Sequence, residues 1–268
     1  RQSGYSGGLT EMDPAEELQR QGCVWAVNLD GGGSTTFALR VPGSSGLTVV
    51  NSPSEGSLRS CAAFILLVTD SDTADGEAER LALKEDGLVV LAGSSVTLGD
   101  VAVLDGSAST VSSRVSDAVF TSEDGLGSFN GGVYTAGTRA GTDTISIESP
   151  SLGISGTAQI HVVTALSDLT VTRAGSSSAA VSSLSLEPGE TVSLAATGTY
   201  WSRSALRTGS AGVTWAVTGN VGTITQDGVF TASSGGTSGT ITATAGGIAA
   251  AIFFGFLVAL IFKAKPKR

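Results

Sequence analysis

One short stretch of this chain has residue types at a spacing that suits chemistry on an anion. It is Asn28-Leu29-Asp30-Gly31-Gly32-Gly33-Ser34, set between two β-like runs. Three consecutive glycines cost backbone entropy on folding and pack nothing. A plain hairpin turn needs only one or two special residues. Consecutive glycines permit positive φ and turn successive N–H groups onto one concave face, a nest that suits phosphate above all. Asp30 enters the loop directly, where it can serve as acid, base or orienting group, and Ser34 adds a hydroxyl. A tight structural turn is the competing reading. No Lys follows the glycines, so this is not a Walker loop. A strand-like run follows rather than a helix, so it is not a Rossmann turn.

The elements that must position this loop are short. Asp13-Pro14-Ala15-Glu16 predicts a helix start, with Asp13 as cap, Pro14 in the first turn and Glu16 as the capping-box acid. That helix is expected to end near Gly22. Strands are expected over Val24–Leu29, Thr35–Val41 and Cys61–Thr69, the last nearly all apolar and so buried on both faces. Residues 1–70 then read as an α/β piece with a covered sheet. From Asp70 to Asp86 the sequence is polar and acidic and reads as a solvated linker, with residues 71–86 its extent.

Beyond the linker the chain repeats itself. "VVLAGSSVTL" (Val89–Leu98) matches "LSLEPGETVSL" (Leu184–Leu194), "GGVYTAG" matches "DGVFTAS", and "DTISI" matches "GTITA". Gly93 falls over Gly189, Val96 over Val192, Leu98 over Leu194 and Tyr134 over Phe230, all at an offset of 96 residues. One constant offset marks a structural repeat. Within each copy, short alternating runs separated by Gly, Ser and Asp predict strands, with Val213, Trp215 and Val217 on one face. Such a density of short strands predicts two Ig-like sandwiches, over 87–165 and 166–247. "VTWAVTGNVGTITQDGVFTA" resembles bacterial Ig-like domains of the group-2 type, which generally act as stalks, spacers or adhesive modules. His161, in the closing strand of the first copy, reads as structural. Trp201 is the more exposed tryptophan by pattern, and carbohydrate stacking there is a minority alternative.

The tail Ile248–Phe262 holds fifteen uncharged residues before the basic hexapeptide at 263–268. As a helix it would rise about 23 Å, somewhat short of a ~30 Å hydrocarbon core. The basic flank matches a cytoplasmic stop-transfer end. The repeat offset makes a rival demand, placing the closing strand of the second copy at about Ala250–Ala259. The run does not alternate apolar with polar, so a transmembrane helix over 248–262 is expected, with the membrane as a partner and residues 263–268 as a cytoplasmic tail.

Composition narrows the class. The chain has 268 residues, 37 of them Gly, and a net charge of −9. Without the basic hexapeptide, 24 acids face 11 bases, a net −13. An acidic body offers no footprint for nucleic acid. Two cysteines and one histidine do not make a zinc site, and no metal or cofactor is expected. Cys23 and Cys61 read as buried thiols packing like small hydrophobes, with a disulfide as the alternative. The chain begins at Arg1 without a signal peptide and reads as a fragment entered in mid-domain.

The first seventy residues carry a second resemblance. "GYSGGLTEMDPAEELQRQGCVWAVNLDGGGSTTFAL" followed by "VVNSPSEGSLRSCAAFILLV" resembles the C-terminal part of the phosphodiester glycosidase family, over Gly4 to Val68. That family includes an enzyme that removes N-acetylglucosamine from a sugar-1-phosphodiester. The resemblance implies that Asn28, Asp30, Gly31, Gly32, Gly33 and Ser34 line the site. Asn51, Ser54, Gly56 and Arg59 match the family's second motif. It implies catalytic roles for Asn28, Asp30 and Arg59 and substrate or phosphate binding for the others. The Arg59 guanidinium suits a phosphate clamp, though it also suits a solvated strand entrance. Phosphate is a good leaving group, so holding its charge while the anomeric carbon becomes cationic supplies much of the stabilisation. Asp30 then steadies that cation or activates water. The family's domain is longer, so residues that complete the site are expected upstream. Tyr5, Ser6 and Thr10 approach the site or pack in loops. Taken together, the expectation is a mainly β protein: a partial α/β catalytic fragment, two Ig-like sandwiches and a short membrane helix. It reads as a cell-surface or extracellular hydrolase acting on a glycan or sugar-1-phosphodiester. A non-enzymatic surface stalk or adhesin is the alternative.

Overall fold

The computed structural model describes residues 10, 12–28, 32–33, 35–42, 44, 46–51, 53, 58–60, 64–68, 76–175, 180–200, 203–206, 212–234 and 238–256. They form a mainly β molecule with one helix, α1 (Met12–Arg20). The first strands are β1 (Ala38–Arg40), β2 (Leu47–Val49), β3 (Arg80–Leu83), β4 (Leu88–Leu91), β5 (Ser95–Thr97), β6 (Val101–Leu104) and β7 (Thr110–Ser112). Next come β8 (Val119–Ser122), β9 (Gly127–Asn130), β10 (Val133–Ala136), β11 (Gly141–Ser149), β12 (Ile154–Val163), β13 (Asp168–Arg173) and β14 (Ser183–Leu186). The chain continues through β15 (Thr191–Tyr200), β16 (Arg203–Ser204), β17 (Thr214–Thr218), β18 (Gly222–Ile224), β19 (Val229–Ala232), β20 (Ser238–Ala245) and β21 (Ile248–Phe256). Two compact units result. Arg1–Asp86, Gly99–Val119 and Ser146–Ala158 make the first, and Gly87–Leu98, Phe120–Ile145 and Gln159–Arg268 the second.

In the first unit α1 begins at Met12, two residues earlier than expected. The N–H and Oγ1 of Thr10 both donate to Asp13 Oδ2, at 2.6 and 2.7 Å, so Asp13 reaches back like a capping-box acid rather than serving as the cap. Those two bonds hold the Asp13 carboxyl below its ordinary pKa. The helix stops as expected at Gly22, whose φ of +85° needs glycine. Its N–H donates to Gln19 O and that of Cys23 to Leu18 O, which closes the helix in a Schellman turn. No residue of α1 is buried.

The covered sheet expected over residues 1–70 is not what the structure shows. Val24–Asn28 are without regular structure, and Trp25 is 92% exposed. The strand expected over Thr35–Val41 shrinks to β1, paired antiparallel with β2. Phe64–Val68, read as a doubly buried strand, are exposed and unpaired in any sheet, and Cys61–Ala63 and Thr69 lie outside the described residues. An apolar run states what its side chains favour, but a strand also needs a neighbour for its N–H and C=O groups. Cys23 is an exposed free thiol rather than a buried one, and Cys61 lies outside the described residues. The stretch read as acidic linker contains β3, in the sheet β3–β6–β7. Leu81 and Leu83 point inward from it because the sequence Arg80-Leu81-Ala82-Leu83 alternates.

In the second unit the sheets β13–β15–β19–β18 (with β16 on β15) and β14–β21–β20–β17 share one core. Leu169, Val192 and Phe230 come from the first sheet, and Leu184, Ile241, Trp215 and Phe254 from the second. This unit also holds the three-stranded sheet β5–β10–β9. It includes β4, which runs parallel to the end of β12 from Ile160↔Leu88 to Val163↔Leu91.

Here the tail expectation is corrected. Residues 248–256 are a strand, not part of a membrane helix, while 257–268 lie outside the described residues. β21 pairs antiparallel with β20 along eight residues, from Ser238↔Gly255 to Ala245↔Ile248, and parallel with β14 from Ser183↔Phe253 to Leu186↔Phe256. Ile252 and Phe254 enter the core while Phe253 stays 68% exposed, so burial alternates although residue type does not. Two open sheet edges flank the segment, and pairing with both satisfies its backbone. No helix among the described residues is long and apolar enough to cross a membrane.

Candidate functional site

The candidate site sits at the open end of the β1–β2 hairpin. Ala38 faces Val49 and Arg40 faces Leu47, so the chain before β1 and the chain after β2 emerge side by side. Val50 N–H extends the ladder by donating to Phe37 O at 2.9 Å. Asn51 then clips the two segments together. Its Nδ2 donates to Thr35 O and its Oδ1 accepts from Phe37 N–H, both at 2.7 Å. An amide is the side chain for this task, since it presents a donor and an acceptor side by side. The first residue of the second motif is thus tied to the exit of the glycine loop.

The loop itself closes as a tight turn, with Thr35 N–H donating to Gly32 O at 3.1 Å. Gly32 has φ +116°, a conformation that L side chains rarely adopt. Among the described residues, nothing stands within 4 Å of where a Cβ on Gly32 would lie, and Gly32 is exposed. Gly33, the next residue, is half-buried. Both readings of the loop therefore have a physical basis: it is a turn, and its outer side is accessible.

Of the other expected site residues, Asn28 is exposed in the irregular stretch before the loop, and Arg59 is exposed after the hairpin. Asp30, Gly31, Ser34, Ser54 and Gly56 lie outside the described residues, as do Tyr5, Ser6 and Trp201. Thr10 belongs to the helix start. His161 lies on β12 with Nδ1 at 3.0 Å from Thr142 Oγ1. Among the described residues no group of three or more His, Cys, Asp or Glu stands together so as to hold a metal ion.

A polar cluster that the repeat pattern did not bring out lies in the second unit. Asp143 is fully buried on β11 and accepts from Tyr134 Oη at 2.6 Å, from Ser122 Oγ at 2.8 Å and from Asp124 N–H at 3.2 Å. Burial, with the hydrogen bond to Asp143 and its charge, pushes the Tyr134 phenol well above its ordinary pKa. The available signal was the paired change between the copies, Tyr134 with Asp143 in one and Phe230 with Gly239 in the other.

Residues 1–68 match the family described as phosphodiester glycosidase. The match spans both motifs and ends within the exposed apolar run. No curated protein matches the chain. Among solved structures, domains 5–6 of the S-layer protein SbsC align over 68% of this chain and 98% of that one, at 16% identity and TM-score 0.31. Domains 4 and 5 of the same S-layer protein align over 68% of this chain and 100% of that one, at 14% identity and TM-score 0.27. Domains EC1–2 of human protocadherin-24 align over 68% and 99%, at 12% identity and TM-score 0.22. Likenesses at such scores carry no argument about this chain.

Proposed function

We propose that residues 1–68 form part of a hydrolase that cleaves the glycosidic bond of a sugar-1-phosphodiester. In this reading the two β-repeats are Ig-like domains, near 87–165 and 166–247, that carry it at a cell surface or outside the cell. The observation that carries the proposal is the family match across the whole stretch holding both motifs. The Asn51 clip supports it, because it ties the two motifs at one hairpin end. In this mechanism Arg59 and the loop N–H groups hold the phosphodiester as the C1–O bond breaks and the leaving oxygen takes the electron pair. Asp30 faces the developing positive charge at the anomeric carbon, steadying it or deprotonating the attacking water.

A non-enzymatic surface stalk or adhesin is the second reading. It is favoured by one specific observation: among the described residues, none before Leu81 is buried, so the described part of the matched stretch 1–68 contributes no core residue. The test is release of N-acetylglucosamine from a 1-phosphodiester by the protein. Asp30→Asn and Arg59→Ala should each slow it about a hundredfold or more. Wild-type rates in both variants would remove these residues from the mechanism, and no release by the wild-type protein would leave the stalk.

A further inference from the structure

Asn51 lies where the β1–β2 ladder passes from backbone to side-chain bonding. With Ala38 opposite Val49, the next rung sets Phe37 opposite Val50, and Val50 N–H donates to Phe37 O. The Phe37 N–H is taken by the Asn51 carboxamide, which also donates to Thr35 O. In an extended chain, the C=O of one residue and the N–H two positions on point to the same side. A side-chain amide offers the matching donor and acceptor. The half-buried carboxamide thus takes the place of a peptide group of β2. Turned over, it would set Nδ2 against an N–H and Oδ1 against a carbonyl, so its two partners fix its orientation.

Thr35 joins this clip to the glycine loop. Its C=O receives Asn51 Nδ2, and its N–H closes the turn onto Gly32 O. A shift of Thr35 is therefore passed to Gly32, which is held at φ +116°. We propose that Asn51 is a positioning residue for the glycine loop: it holds Thr35 and Phe37, and through Thr35 the loop N–H groups, in the conformation that receives a phosphodiester. The identity of that ligand rests on the glycosidase reading. The role differs from the one the resemblance implies, in which Asn51 itself binds substrate.

The test compares Asn51→Ala and Asn51→Asp with the wild-type protein by two measurements. One is amide-exchange protection at Thr35 and Phe37 without ligand, and the other is kcat/KM for sugar release from an N-acetylglucosamine 1-phosphodiester. Asn51→Ala should lower protection at both N–H groups about tenfold. It should lower kcat/KM about a hundredfold, a loss that misplacement by an ångström suffices to cause. In Asn51→Asp the ionised carboxylate still accepts from Phe37 N–H but sets its second oxygen against Thr35 O, and protonation restores a donor there. That contact disfavours the charged form and raises the folded pKa. The clip is then whole below the unfolded value, about 3.9, and is lost as pH rises through the folded value. Protection at Thr35, and kcat/KM relative to wild type at the same pH, should recover together on acidification. Lost activity with protection unmoved at Thr35 and Phe37 would make Asn51 a direct ligand and overturn the positioning role. Lost protection with wild-type activity would overturn it too, leaving a clip that serves the hairpin alone. A wild-type protein that releases no sugar would count against the glycosidase reading instead. Dimethyl phosphate binding, followed through the Gly32 N–H resonance, then replaces kcat/KM in the same comparison. No shift of that resonance in the wild-type protein would overturn the positioning role along with that reading.

Discussion

Val96 faces Tyr134 in the first repeat, and Val192 faces Phe230 in the second, in the same antiparallel register. Gly93 N–H donates to Ala136 O, and Gly189 N–H to Ala232 O. Ile145 and Ile241 are fully buried at equivalent places. The repeats differ where Tyr134 carries a hydroxyl and Phe230 does not. The hydroxyl reaches Asp143, while the second repeat has Gly239 at that position, and a Cβ there would stand 2.3 Å from Thr218 O. A buried donor and its acceptor are kept together or lost together, because either alone bears the full cost of desolvation. Tyr134 and Asp143 lie on different sheets, so the bond also ties the two sheets of the first repeat at one point.

The sharpest way to break the equivalence of the repeats is to end the chain at Gly247. The second repeat would lose the strand between β14 and β20 along with Ile252 and Phe254, and its unfolding transition should vanish from a urea or calorimetric profile. A truncated chain keeping two transitions would show that β21 is dispensable. Phe254→Ala comes next. Its ring lies 5.1 Å from that of Phe230, and truncation should cost about 3–5 kcal/mol. Phe253→Ala, one residue away but exposed, should stay within about 0.5 kcal/mol. Equal effects at 253 and 254 would contradict a strand.

Exchanging the aromatic residues between repeats should have a smaller effect. Tyr134→Phe removes one of the donors to Asp143 and should cost about 1–3 kcal/mol. Phe230→Tyr should be destabilising as well, because its hydroxyl finds no carboxylate and Gly239→Asp cannot supply one without a clash. A neutral Phe230→Tyr in urea titrations would mean that the second core has an unrecognised acceptor.

The mildest difference is in acid. Burial pushes the Asp105 carboxyl upward, but hydrogen bonds from Ser107, Ser109 and Gly76 outweigh it and hold the pKa below the ordinary value. The N–H of Ser151 and Oγ of Ser149 lower Asp117, and the N–H of Thr144 lowers Asp124. A lowered folded pKa stabilises fully above the unfolded value, about 3.9, and the contribution is lost as pH falls through the folded value. Ninety-six positions on from Asp117 and Asp124, the second repeat has Val213 and Asn220. Amide exchange should therefore show the first repeat losing protection before the second below about pH 4. Asp117→Asn should flatten that loss, and simultaneous loss in both repeats would argue against these carboxylates as its source.

The β-repeats were more legible in the sequence than the candidate site. The 96-residue offset located Gly93 and Gly189, Val96 and Val192, and Tyr134 and Phe230 in equivalent places, because alternation and turn glycines are local signals. The end of α1 at Gly22 was legible for the same reason. Asn51 was picked out by resemblance as a binding residue, but its bonds to Thr35 and Phe37 depend on hairpin register, which no local pattern states. The strands expected over Val24–Leu29 and Cys61–Thr69 show the limit from the other side, since their composition is strand-like and no described neighbour pairs with them.

The tail draws the boundary most clearly. By itself, the sequence determined that Ile248–Phe256 favours burying apolar side chains, because its nine residues carry no charge and no polar side chain. It did not determine whether lipid or protein would receive them. That was decided by tertiary structure, because β14 and β20 stand one strand apart with open edges facing the same gap. Filling it satisfies the backbone of the tail on both sides and places Ile252 and Phe254 in the core.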